Sequence, residues 1–220
     1  MRDEGICDMS NEKTIRLLCK ELFLLKYPNA TIVDEFTCDS LCTRNDLFIV
    51  DDSKDIVLSI EIKSDRDNLK RLYKQVTDYK TYSNIVYAIL DIKHLKKYNN
   101  SFRELPEFKD VGLIIYDNGN MVLEKSAKVN KFPKLLKLLR TNELNIFSTG
   151  LKGRSKIPGN AKYLKKMINN VFGEDAEIIA RSIFMHRIGK EYNPKPVIHD
   201  DKIKKLILSK QQTFTNYIKE

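Results

Sequence analysis

Two short apolar runs, 47–50 (Leu47-Phe48-Ile49-Val50) and 56–60 (Ile56-Val57-Leu58-Ser59-Ile60), are rich in β-branched residues and separated by Asp51-Asp52-Ser53-Lys54-Asp55. That pattern predicts a β-hairpin. Upstream, a helix is expected over 10–27, stopped by Pro28, and a strand over 31–36. Downstream, the apolar residues Leu69, Leu72, Val76 and Tyr79 recur at helical spacing, which predicts a helix over 67–82 with Asp65 or Asp67 as N-cap. Residues 84–90 form a continuous apolar run of the buried-strand type. Residues 111–116 and 121–124 flank Asp117-Asn118-Gly119-Asn120, a hairpin turn signal. The expected architecture is α/β, helices around a mixed central sheet. Beyond Phe132 the strand signals stop: Leu135, Leu136, Leu138, Leu139 and Leu144 suggest one helix, 163–171 a second and 176–188 a third. Asn193 to Pro196 then precede a last helix from Asp201.

Candidate chemistry enters at the ends of the first hairpin. Asp46 stands at the head of the first run, and Glu61-Ile62-Lys63 closes the second. Alternation puts Glu61 and Lys63 on one face of the strand and Ile62 on the other, so pairing the runs could bring two carboxylates and an ammonium together. Such a cluster suits a hard divalent cation with oxygen ligands. On the following helix Arg71, Gln75 and Tyr79 succeed each other at i, i+4 and i+8, along one edge. Taken alone, Glu-x-Lys on a strand is more often a solvated edge. Arg44 could contact phosphate or pair with Asp46.

Asp46, then Glu61-x-Lys63, then Gln75-x-x-x-Tyr79 resembles the PD-(D/E)XK nuclease superfamily, in particular its RecB-like and MmcB-like branches with a Q-x-x-x-Y helix. The string from Glu61 to Tyr79 carries most of the likeness, which covers residues 10–90 and fades beyond about 125. Asn45 stands where the family name has proline. The resemblance implies a restriction-endonuclease-like core. It also implies Mg²⁺ or Mn²⁺ held by Asp46, Glu61, the Ile62 carbonyl and a first-helix acid, for which Glu21 is the candidate, although Glu12 and Glu21 could equally be solvated. Lys63 would act on the attacking water or on the charge that develops. Gln75 would position Lys63 or a phosphate, and Tyr79 would buttress the site.

Composition changes this picture little, whereas charge distribution changes it more. With 42% hydrophobic and 31% charged residues, 220 residues can bury a core unaided. No apolar run reaches the ~18 residues of a membrane span, and Arg2-Asp3-Glu4 does not open a signal peptide, so a cytoplasmic setting is expected. Cys7, Cys19, Cys38 and Cys42 lack zinc-site spacing and read as reduced thiols, two of them buried. Residues 1–120 carry 18 Lys and Arg against 21 Asp and Glu, net −3, whereas 121–220 carry 21 against 9, net +12. The division expected is therefore a nuclease-like core, 1–125, that cuts, and a basic helical region, 126–220, that holds nucleic acid.

Within the basic region, Lys152, Arg154 and Lys156 sit in the Gly-rich stretch 150–159, and Lys162, Lys165 and Lys166 follow. These cations, with Arg44 and Arg71, are the candidate phosphate contacts. Three helices with a basic loop suggest a winged-helix-like unit, though no base-reading helix is identifiable. His94, His186 and His199 read as solvated or capping. The expected function is metal-dependent hydrolysis of DNA phosphodiesters, with RNA as substrate, oligomeric state and a homodimer left open. The alternative is an inactive nuclease-fold DNA-binding module or adaptor.

Overall fold

The computed structural model describes residues 11–37, 43–130, 134–144, 161–173 and 175–191. Its centre is a six-stranded mixed sheet whose strands lie side by side in chain order. They are β1 (Thr31–Asp34), β2 (Leu47–Asp51), β3 (Ile56–Lys63), β4 (Ile85–Asp91), β5 (Gly112–Asp117) and β6 (Asn120–Lys125). Pairing is antiparallel for β1–β2, β2–β3 and β5–β6 and parallel for β3–β4 and β4–β5. The parallel pairs need crossovers, which run through α2 (Leu72–Tyr79) and α3 (Leu95–Ser101). The expected α/β architecture is the one observed.

Alternation along the strands sorts side chains into two cores. On one face Leu47, Ile49, Leu58, Ile60 and Ile62 pack beneath α1 (Asn11–Lys26), through Ile15, Cys19, Leu22 and Phe23. On the other, Phe48, Val50, Val57, Val86, Ala88 and Leu90 pack against Leu72, Val76 and Tyr79 of α2. The same face receives Ala176, Ala180, Phe184 and Ile188, spaced at helical intervals on α5 (Asp175–Glu191). Phe184 lies edge-on to Phe36 and Phe48, with centroids 6.1 and 5.9 Å away. Arg181 pairs with Asp52 and Asp55 at the β2–β3 turn. Ahead of α5 runs α4 (Ala161–Phe172), which buries Ile168.

The β5–β6 hairpin turns as its sequence predicts, with Asn118 at φ 46° and Gly119 at φ 83°, the paired positive angles that Asn-Gly tolerates. Gly112 answers a different need. It pairs with Tyr87, and a Cβ there would fall 2.2 Å from the tyrosine ring.

Four expectations are corrected. The helix predicted over 67–82 is only Leu72–Tyr79, and its N-cap is Arg71, with no capping side chain. Asp67 instead turns back to accept from the Ser64 N–H and hydroxyl, at 2.8 and 2.7 Å, stabilising the turn that delays the helix. The strand predicted to reach residue 36 ends at Asp34, because Glu35 takes a left-handed φ of 51°. The leucines from 135 do not build a continuous helix: Leu135–Leu138 is a 3₁₀ turn, and Leu139 is extended. Leu135, Leu136, Leu138 and Leu139 are all buried, so one-sided helical spacing was never required of them. The expected last helix from Asp201 lies outside the described residues.

Candidate functional site: a buried carboxylate pair with two cations

The β2–β3 register pairs Leu47 with Ile60, so Asp46 sits just beyond the last pair, opposite the outgoing end of β3. There the partner strand has run out, and the Asp46 carboxylate takes over the ladder by accepting the Ile62 N–H at Oδ2, 2.7 Å. On β3 alternation carries Glu61 and Lys63 to the α2 face. Lys63 Nζ donates to Glu61 Oε1 at 2.5 Å, and both side chains are almost wholly buried. Tyr79, on the buried side of α2, donates to Glu61 Oε2 at 2.6 Å. Asp46, Glu61, Lys63 and Tyr79, all singled out in the sequence, therefore come together.

Withdrawal from water raises the proton affinity of both carboxylates, and the Asp46 charge adds to it at Glu61. Burial, reinforced by the Asp46 charge, pushes the Glu61 carboxyl up to about 7, against the pull of Lys63 and Tyr79. Asp46 is raised too, by burial first, with the Ile62 N–H, Arg16 and Lys63 opposing. The Tyr79 phenol is raised strongly by burial and then by the Glu61 charge, so it remains a neutral donor. Paired buried carboxylates in this position suit a divalent oxygen-seeking cation, which would relieve their repulsion. Asp46 and Glu61 fit that role.

Other candidates fall differently. Glu21 does not complete the pair: among the described residues no group of three or more acids, histidines or cysteines gathers as a metal site. The α1 side chain that reaches Asp46 is Arg16, which sequence reasoning missed. Its NH2 lies 3.7 Å from Asp46 Oδ1 and its NH1 donates to the Asp46 carbonyl at 2.5 Å. The legible signal was Glu12 one turn before it, whose carboxylate it contacts at 2.9 Å. Arg44 pairs with Glu35 at 3.0 Å rather than with Asp46, and is mostly exposed. Gln75 is buried one turn before Tyr79, and its Oε1 has no partner among the described residues, while Arg71 on the same edge is exposed.

His94 is neither solvated nor a side-chain cap. It is buried, and its Nε2 lies 2.8 Å from the Ser64 carbonyl, fixing the chain directly after Lys63. Cys19 is buried as a free thiol. Lys162 and Lys166 are exposed on α4, whereas Lys165 Nζ donates to the Lys137 carbonyl at 2.7 Å, so this cation is committed to packing α4. Lys152, Arg154, Lys156, Cys7, Cys38, Cys42, His199 and the side chain of His186 lie outside the described residues.

The fold and this cluster define an α/β protein with a buried carboxylate–lysine site at one end of its sheet. The chain belongs to the family described as bacteriophage P4 protein cII, which matches residues 11–209. No curated protein matches it. Among solved structures it is similar to the SPO1766 protein of unknown function from Silicibacter pomeroyi, at 17% identity and a TM-score of 0.40, over 69% of this chain and 99% of that one. No helix among the described residues is long and apolar enough to cross a membrane.

Proposed function

We propose that the protein is a metal-dependent nuclease that hydrolyses DNA phosphodiesters at Asp46, Glu61 and Lys63, as a PD-(D/E)XK enzyme. The observation that carries this reading is the convergence of Asp46 Oδ2 on the Ile62 N–H, Lys63 on Glu61 and Tyr79 on Glu61, all within one buried end of the sheet. Buried ion pairs rarely add net stability, because desolvation offsets their attraction, so a cluster like this one is better explained by chemistry than by folding.

Asp46, Glu61 and the Ile62 carbonyl would hold the ion. Bound Mg²⁺ or Mn²⁺ would supply Lewis-acid stabilisation of the phosphoryl oxygens and activation of water. Tyr79 and Lys63 each take one oxygen of Glu61 and so fix its rotamer. The Lys63 ammonium would exchange its Glu61 contact for the attacking water or for charge developing on phosphate. Ser64, clamped by Asp67 and His94, would keep the end of β3 from fraying under that exchange. Gln75, buried beside this layer, would turn its amide toward Lys63 or a phosphate. The basic region 126–220 would hold the nucleic acid, in a cytoplasmic setting.

The test is incubation of purified protein with linear, circular, single-stranded and branched DNA, and with RNA, in Mg²⁺, Mn²⁺ or EDTA. Cleavage in metal that disappears in EDTA and in Glu61→Gln supports the reading. Tight DNA binding without cleavage of any substrate would favour an inactive nuclease-fold module instead.

A further inference from the structure

We infer that Arg16 is a built-in counter-cation that limits the Asp46–Glu61 site to a single divalent ion. The inference rests on the metal-site reading above and concerns its stoichiometry. Asp46 has two carboxylate oxygens, and Oδ2 is committed to the Ile62 N–H at 2.7 Å. Oδ1 faces Arg16 NH2 at 3.7 Å. The guanidinium cannot readily swing away. Its NH1 donates to the Asp46 carbonyl at 2.5 Å, and its other contacts are Glu12 at 2.9 Å and Asp34 at 3.6 Å, with only 15% of the side chain exposed. Lys20 holds Asp34 in turn, at 2.5 Å.

A two-metal site places its ions roughly 3.5–4 Å apart across a shared carboxylate. Here the far side of that carboxylate is taken by a fixed positive charge. Asp46 and Glu61 already face two cations, Arg16 and Lys63, with Glu12 and Asp34 sharing the Arg16 charge. Arg16 is thus a positioning residue that sets ion number and holds Asp46 in its ligating rotamer.

The experiment counts Mn²⁺ bound to the full-length protein without DNA, by calorimetry and by electron paramagnetic resonance at low ionic strength. One ion per chain is expected for the parent and for Arg16→Lys, which keeps the charge. Arg16→Gln, which removes the cation beside Asp46 Oδ1, should bind a second ion. Two ions on the parent, or still a single ion on Arg16→Gln, overturns the inference and leaves the nuclease reading standing. No Mn²⁺ on either protein overturns both. Arg16→Met, titrated in the same way, carries the comparison if Arg16→Gln does not fold.

Discussion

Tyr79 and Glu61 share one short hydrogen bond, 2.6 Å from phenol to Oε2, and the same phenol lies 2.6 Å from the Arg44 carbonyl. A phenol has one proton, so two acceptors compete for it, and the buried Glu61 charge makes the carboxylate the stronger claimant. The tyrosine therefore ties α2 to β3, while the chain at Arg44 is held by its bridge to Thr37 and by the Asn45 N–H donating to the Phe36 carbonyl at 2.9 Å.

Tyr79→Phe keeps the ring that packs against Tyr82 and removes only the hydroxyl. Glu61 Oε2 loses its donor in a buried place, which should lower unfolding free energy by about 1–3 kcal/mol. Urea denaturation of the parent and variant measures it. A change within ~0.3 kcal/mol would mean that water serves Oε2 equally well.

Removing either carboxylate should stop cleavage without unfolding the protein. Asp46→Asn retains an oxygen for the Ile62 N–H, and Glu61→Gln retains one for Tyr79. Both should lose cleavage by more than about 100-fold, beyond what supporting residues of a metal site usually cost. Lys63→Ala should slow cleavage while Mn²⁺ binding largely survives, because a protonated lysine cannot ligate. Single-turnover rates, with circular dichroism as the folding control, decide each case.

The Glu61 carboxyl, raised from an ordinary 4.5 to about 7, gives two pH effects of opposite sign. Without metal, its contribution to stability is fully present below about 4.5 and is lost as pH rises through about 7, because the folded state keeps the proton longer than the unfolded chain. Mn²⁺ needs the carboxylate, so its affinity should climb toward pH ~7, by up to tenfold per unit, and level off above. Melting in EDTA and calorimetry with Mn²⁺ across that range test both arms. A flat Mn²⁺ affinity would remove Glu61 from the ligand set.

Phe184→Ala should detach α5 from the sheet. The side chain is fully buried against Phe36 and Phe48, and the Arg187 guanidinium lies 5.1 Å from the ring centroid. Truncating it leaves a large cavity and should cost about 3–5 kcal/mol in a urea titration. Cleavage per folded molecule should hold steady, since Phe184 carries no group that could act on metal or phosphate.

Neutralising Lys152, Arg154 and Lys156 together should weaken duplex binding and reduce the slope of log affinity against log salt by about 0.9 for each phosphate no longer neutralised. Cutting at saturating DNA should be unchanged. An unaltered slope would mean that this stretch does not hold phosphate, and Lys162 and Lys166, exposed on α4, become the next surface to test.

Short-range pattern by itself determined the strands, the two hairpins and the meeting of Asp46, Glu61, Lys63 and Tyr79. That convergence needs only a period of two along β3, a fixed hairpin register and a helix that returns over the same face. What tertiary structure decided was which partners came from elsewhere. Arg16 and Glu21 are five residues apart on α1, about 140° around a helix, so the docking angle of α1 on Ile60 and Ile62 chooses the cation and not the acid as the neighbour of Asp46. His94 became a buried clamp only because β4 ends beside Ser64, and Asp67 closed a turn rather than capping α2 because Ser64 offered it two donors at once. The leucines at 135–139 stand at helix-compatible spacing yet form a 3₁₀ turn and extended chain, since all four are buried and the turn packs against α5 whatever their phase.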